Sequence, residues 1–80
     1  MYTSGEVMHM RTSDAVTHMI ERAGKSKSEV SVEIGKHRNF VVSSQGRENW
    51  SPQVDTLASI ARACGYALVL EGNGERISLD

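Results

Sequence analysis

Arg38 and Asn39 stand side by side in this 80-residue chain, and their chemistry is specific. A guanidinium is a planar fork of donors that matches the O6/N7 edge of guanine. A carboxamide offers the donor and acceptor that match N6/N7 of adenine. Displayed at the start of a helix, the two would read base edges, and the free amides there would meet a phosphate. The net charge of −1 runs against a polyanionic partner, but its distribution does not. Residues 1–21 carry −2, residues 22–50 carry +3, and residues 51–80 carry −2. A locally basic middle is what a phosphate-facing surface needs. The same charges could also be no more than a solvated face.

Other chemistries find less support. His9, His18 and His37 do not combine with Cys64 at metal-ligand spacing. Serine, histidine and aspartate are all present, yet no strand elbow or carboxylate pair surrounds them, so neither a catalytic triad nor a small metalloenzyme is expected. The run Gly72-Asn73-Gly74 is followed by no helix and reads as a turn rather than a phosphate loop. A single cysteine excludes an internal disulfide, and Cys64 falls on an apolar helical stripe as a small hydrophobe. Trp50, the one tryptophan, reads as a core or loop anchor, with a groove or partner contact as the alternative. No cofactor is implied. No apolar run approaches the roughly 20 residues of a membrane span, and the N-terminus lacks the apolar stretch of a secretory signal. The cell interior, beside the nucleoid, is the expected compartment.

One domain of mostly helical character must position these groups, since a chain of this length has surface for one core only. Residues 1–12 read as an N-terminal arm containing Met8, His9 and Met10. Ser13 is the expected N-cap of a first helix whose stripe is Val16, Met19, Ile20 and Ala23, with Gly24 after it. Ser26 and Glu29 form an S-x-x-E capping box, opening a short helix that buries Val30 and Ile34 and stops at Gly35. Residues 36–46 are expected to be a third helix starting near His37, with Phe40, Val41 and Ser44 inward, although paired valines and serines favour a helix poorly. Ser51-Pro52 is the expected start of a fourth helix, with Val54, Leu57, Ala58, Ala61 and Cys64 as its stripe, Ile60 at the border and Gly65 at the end. Residues 66–80 switch to a period of two: a strand over Tyr66–Leu70, a turn, and a second strand containing Ile77 and Leu79. An isolated hairpin is marginal in water. Leu68, Leu70, Ile77 and Leu79 are therefore the expected core and dimer surface.

Two short helices hinged at a glycine are the pattern of a helix-turn-helix, in which the second helix enters the major groove. The segments SKSEVSVEIG at 26–35, HRNFVV at 37–42, and Gly46, its loop and SPQVDTLASIARACGY up to residue 66 resemble the lambda-repressor-like helix-turn-helix family, of the Cro, phage-repressor and xenobiotic-response-element type. The resemblance spans residues 13–65, about two-thirds of the chain. It implies a four-helix DNA-binding domain that represses transcription from an operator, as a homodimer. By position it places Lys27, Arg38, Asn39, Val42 and Ser43 against bases. It places Lys36, Arg47 and Asn49 on the phosphate backbone, with Lys25 and His37 as further phosphate contacts. The sequence departs from the family at Ser44, where an apolar residue is commoner, and in a loop before Pro52 about one residue longer than usual. The competing class is an interaction module, an antitoxin or adaptor that uses the same fold to hold a protein partner such as a toxin. The near-neutral charge and acidic tail favour that reading.

Overall fold

Four helices precede a two-stranded antiparallel hairpin: α1 (Thr12–Arg22), α2 (Lys27–Glu33), α3 (Phe40–Gln45), α4 (Val54–Ala63), β1 (Leu68–Gly72) and β2 (Glu75–Leu79). The computed structural model describes residues 8–47 and 50–79. The expected arm is therefore described only from Met8 onward, and Asn49 lies outside the described residues.

The helix ends follow local chemistry. The Ser26 hydroxyl accepts from the Glu29 amide at 3.0 Å, and the Glu29 carboxylate accepts from the Ser26 amide at 2.9 Å, so the capping box is complete. At the far end of α2 the Lys36 amide donates to the Ser31 carbonyl and the Gly35 amide to the Val32 carbonyl, both at 3.0 Å. That pair of bonds is a Schellman motif and needs a left-handed residue, which Gly35 supplies at φ +83°. The same two bonds close α1, from Lys25 to Ile20 and from Gly24 to Glu21. They also close α4, from Tyr66 to Ala61 and from Gly65 to Arg62.

Three helix starts differ from expectation. α1 begins at Thr12 with Arg11 as its N-cap and no side-chain cap, so Ser13 lies inside the helix. Its carbonyl instead accepts a bond of 2.8 Å from Gln45 Nε2. α4 begins at Val54 rather than at Ser51-Pro52, and its N-cap Gln53 makes no side-chain bond. The fixed φ of Pro52 suits an extended lead-in as well as a first helical turn, and Gln53 is extended at ψ 151°. α3 begins at Phe40, not near His37. Its own N-cap, Asn39, makes no side-chain bond, and help comes from α2. The fully buried Ser31 hydroxyl accepts from the Val41 amide at 3.1 Å while donating to the Lys27 carbonyl at 2.7 Å. An otherwise orphaned helix-start amide is thereby satisfied from the neighbouring helix.

Val16 and Ile20 of α1, Val30 of α2, Val41 of α3, and Ile60 and Cys64 at α4 form the core. Met19, Ala23, Ile34, Phe40, Trp50, Leu57 and Ala63 pack around it. Ser44 is buried at its apolar-type position. The expected stripe of α4 holds at Leu57, Ala58, Ala61 and Cys64 and differs at two positions. Ile60, placed at the border, is fully buried, whereas Val54 is 58% exposed.

The hairpin starts at Leu68, so Tyr66 and Ala67 lie outside the strand. Its connection is the two-residue turn Asn73-Gly74, both at positive φ (49° and 75°), with Gly72 already paired to Glu75. This is the turn geometry that matches strand twist. Register pairs Leu68 with Leu79 and Leu70 with Ile77, so these four side chains share one face. Leu68 and Leu79 are half-buried, while Leu70 and Ile77 are 53% and 48% exposed. No helix among the described residues is long and apolar enough to cross a membrane.

Candidate nucleic-acid interface

The connection between α2 and α3 runs over residues 34–39, longer than the three or four residues of a tight helix-turn-helix. It ends in a turn closed by the Phe40 amide on the His37 carbonyl at 2.9 Å. Arg38 and Asn39 therefore project from the turn that leads into α3, not from its first helical turn. Both are exposed, and neither side chain makes a hydrogen bond or ion pair among the described residues, while the Asn39 carbonyl accepts from the Ser43 amide at 2.8 Å. Asn39, Val42 and Ser43 stand at i, i+3 and i+4, which places them on one face. That face is open, with Val42 53% exposed. Val41 and Ser44, on the opposite face, turn inward.

Phe40 organises the cations before the helix. Lys36 Nζ lies 5.4 Å from the Phe40 ring centroid, within cation–π range. The His37 ring meets the same ring edge-on, centroids 6.1 Å apart at 83°. Lys36, Phe40, Arg47, Trp50 and Thr56 line one cleft of about 380 Å³ between α3 and the start of α4. Arg38 shares a separate shallow groove with Glu29, Val32 and Glu33 of α2. Lys27, half-buried as the first residue of α2, lies about 9 Å along that helix from its far end, at 1.5 Å per residue. The structure thus gathers Lys36 and Arg47 into one feature and sets Arg38, Asn39, Val42 and Ser43 beside it. Lys27 stands apart at the other end of α2.

Lys25 is engaged within the fold. Its ammonium lies 3.0 Å from both oxygens of Glu33 and 2.8 Å from the Ala63 carbonyl. All three of its donors are used, and it joins the end of α1 to the C-termini of α2 and α4, where a cation is favoured. The residue expected on a phosphate thus has a structural role in the fold. Beside it, burial pushes the Cys64 thiol above its ordinary pKa, with Lys25 pulling the other way and Glu33 adding to the rise.

Arg11 was assigned no role from sequence, because it fell in the arm. It lines a second cleft with Asp14, Gln45, Arg47 and Trp50, at the uncapped start of α1. Its one sequence signal is its place directly before the helix. Trp50, expected as a core or loop anchor, packs against the core and also lines both clefts. No group of three or more His, Cys, Asp or Glu side chains among the described residues is placed to hold a metal ion. Comparison with family models, with curated proteins and with solved structures finds no match to this chain.

Proposed function

We propose that the chain binds double-stranded DNA in a sequence-dependent manner and regulates transcription, as a repressor acting on its operator in homodimeric form. One observation carries this reading. Arg38 and Asn39, the two side chains best suited to guanine and adenine edges, stand exposed at the entry to α3, with no side-chain partner among the described residues. Val42 and Ser43 continue the exposed face, and Lys36 and Arg47 flank it as phosphate-binding cations. His37, fixed against Phe40, adds a donor on the same turn. Lys27 is kept as a base contact and would meet the duplex from the start of α2. Repression follows from occupying the operator and excluding polymerase. A homodimer would place two such faces about 34 Å apart on one side of the duplex.

Selection from a random duplex library at stated salt tests the reading. Enrichment of a two-fold symmetric site supports it, and failure to enrich any sequence refutes it. The antitoxin or adaptor reading draws on the exposed Leu70 and Ile77. Library failure together with salt-insensitive capture of a protein partner would favour that reading.

A further inference from the structure

The cleft between α3 and the start of α4 differs in composition from four other grooves among the described residues, each of which includes Asp or Glu. Among the described residues its lining includes two cations, Lys36 and Arg47, and no carboxylate, in a chain whose net charge is −1. It also presents two aromatic systems. Phe40 and Trp50 are each half-buried, packing on the core on one side and lining the cleft on the other. Lys36 Nζ is held near the Phe40 ring, so a positive charge sits where ring and cavity meet. Thr56 adds a hydroxyl. The first amides of α4 carry no side-chain cap, which adds a positive end of a helix to the same wall. Asp55, in that first turn, lines a different groove, against Ser78 and Leu79. The volume of about 380 Å³ lies within the range of about 300–1,000 Å³ typical of small-ligand sites.

We propose that this cleft binds a small aromatic anion, a ring bearing a phosphate or carboxylate. The ring lies against Trp50 and Phe40, and the anionic group lies between Lys36 and Arg47. The DNA reading uses these same two cations for backbone phosphates. Occupancy therefore competes with the duplex, and the ligand acts as a releasing effector. That regulatory consequence rests on the DNA reading; binding in the cleft does not.

Trp50 is the sole tryptophan, so its emission reports directly on the cleft in the full chain without DNA. Titration with phenyl phosphate, excited at the red edge of tryptophan absorption, is expected to give a saturable change. Inorganic phosphate and benzyl alcohol, which carry the anion and the ring separately, should each bind about tenfold more weakly or worse, since each forfeits one of the two interactions. Lys36→Ala and Arg47→Ala, both at exposed positions, should each weaken binding about fivefold. Arg38→Ala, outside the cleft, should leave it unchanged. A non-saturating signal, equal binding of inorganic phosphate, or indifference to both cation substitutions would overturn the site. A selected duplex provides the second arm, in which saturating phenyl phosphate should raise its apparent Kd about tenfold. Saturation of Trp50 without change in duplex affinity would overturn the regulatory role alone. Saturation in a chain that selects no duplex would leave the site standing and refute the DNA reading instead.

Discussion

Replacing Ser31 with alanine removes one oxygen and reaches two helices. The Ser31 hydroxyl is fully buried and accepts the Val41 amide at 3.1 Å, the second amide of α3. Without it that donor has no alternative partner in the described structure, and Val41 is itself fully buried. A buried donor left unpaired costs about 1–3 kcal/mol. The lost bond to the Lys27 carbonyl costs little, because that carbonyl also sits in the helical ladder. Alanine returns a few tenths of a kcal/mol in helix propensity. The net loss is about 1–2 kcal/mol, which for a domain of this size is a drop in Tm of about 5–15 °C. Urea denaturation followed by circular dichroism measures it, with an unchanged m-value as the sign that only stability moved. Ser59→Ala is the control: its hydroxyl makes the same kind of backward bond, to the Asp55 carbonyl at 3.0 Å, but the bond is solvent-exposed and the hydroxyl makes no other hydrogen bond among the described residues. It should cost less than about 0.5 kcal/mol. Equal effects of the two substitutions would refute the idea that α2 caps α3.

Three more outcomes follow from particular contacts. Lys25→Met should lower stability by about 0.5–1.5 kcal/mol, because the ammonium satisfies the Ala63 carbonyl as well as the partly exposed Glu33; duplex affinity, measured by anisotropy, should stay within about twofold, and a large loss would return Lys25 to the phosphate contacts. Ile77→Lys and Leu70→Lys place charge on the exposed end of the hairpin's apolar face and should shift sedimentation from dimer to monomer while the helical spectrum persists; a wild-type chain that is monomeric at high concentration would remove this face as the dimer surface. Cys64 should alkylate with iodoacetamide more slowly in the native chain than in urea at pH 8.5, because burial raises its thiol pKa. The folded state then holds its proton to higher pH than the unfolded chain, so this group leaves stability unchanged below its ordinary range. It lowers stability as pH climbs from there toward the raised native value. Equal labelling rates would contradict the burial.

Which parts of the fold were legible depended on how local their causes are. The capping box at Ser26 and Glu29, the glycine stops after the first, second and fourth helices, and the hairpin turn around Asn73-Gly74 all arise from residues within a few positions of one another. Sequence spacing exposes such causes directly. The start of α3 does not arise that way. Nothing in KHRNFVV shows that Ser31, ten residues upstream, will accept the Val41 amide, so the helix was expected three residues early. Lys25 reads as a surface cation until the end of α4, thirty-eight residues away, is brought beneath it. The stripe of α4 differs at Val54 and Ile60 for a related reason. The helix starts at Val54 without the expected cap, and packing turns Ile60 rather than Val54 inward. Of the candidate site, Arg38, Asn39, Val42 and Ser43 are exposed. Which cations share a cleft with which rings is a tertiary fact, and Arg11 could not be recognised before α1 and Arg47 were placed together.

The account turns on whether the side chains entering α3 read base edges. The most direct measurement compares wild type and Arg38→Ala on the library-selected duplex and on a scrambled duplex, over a salt series. Arg38→Ala is predicted to lose about 1–3 kcal/mol on the selected duplex, to lose little on the scrambled one, and to relax preference at one base position with the salt slope nearly unchanged. An equal loss on both duplexes with a shallower salt slope, or no loss on either, would contradict it.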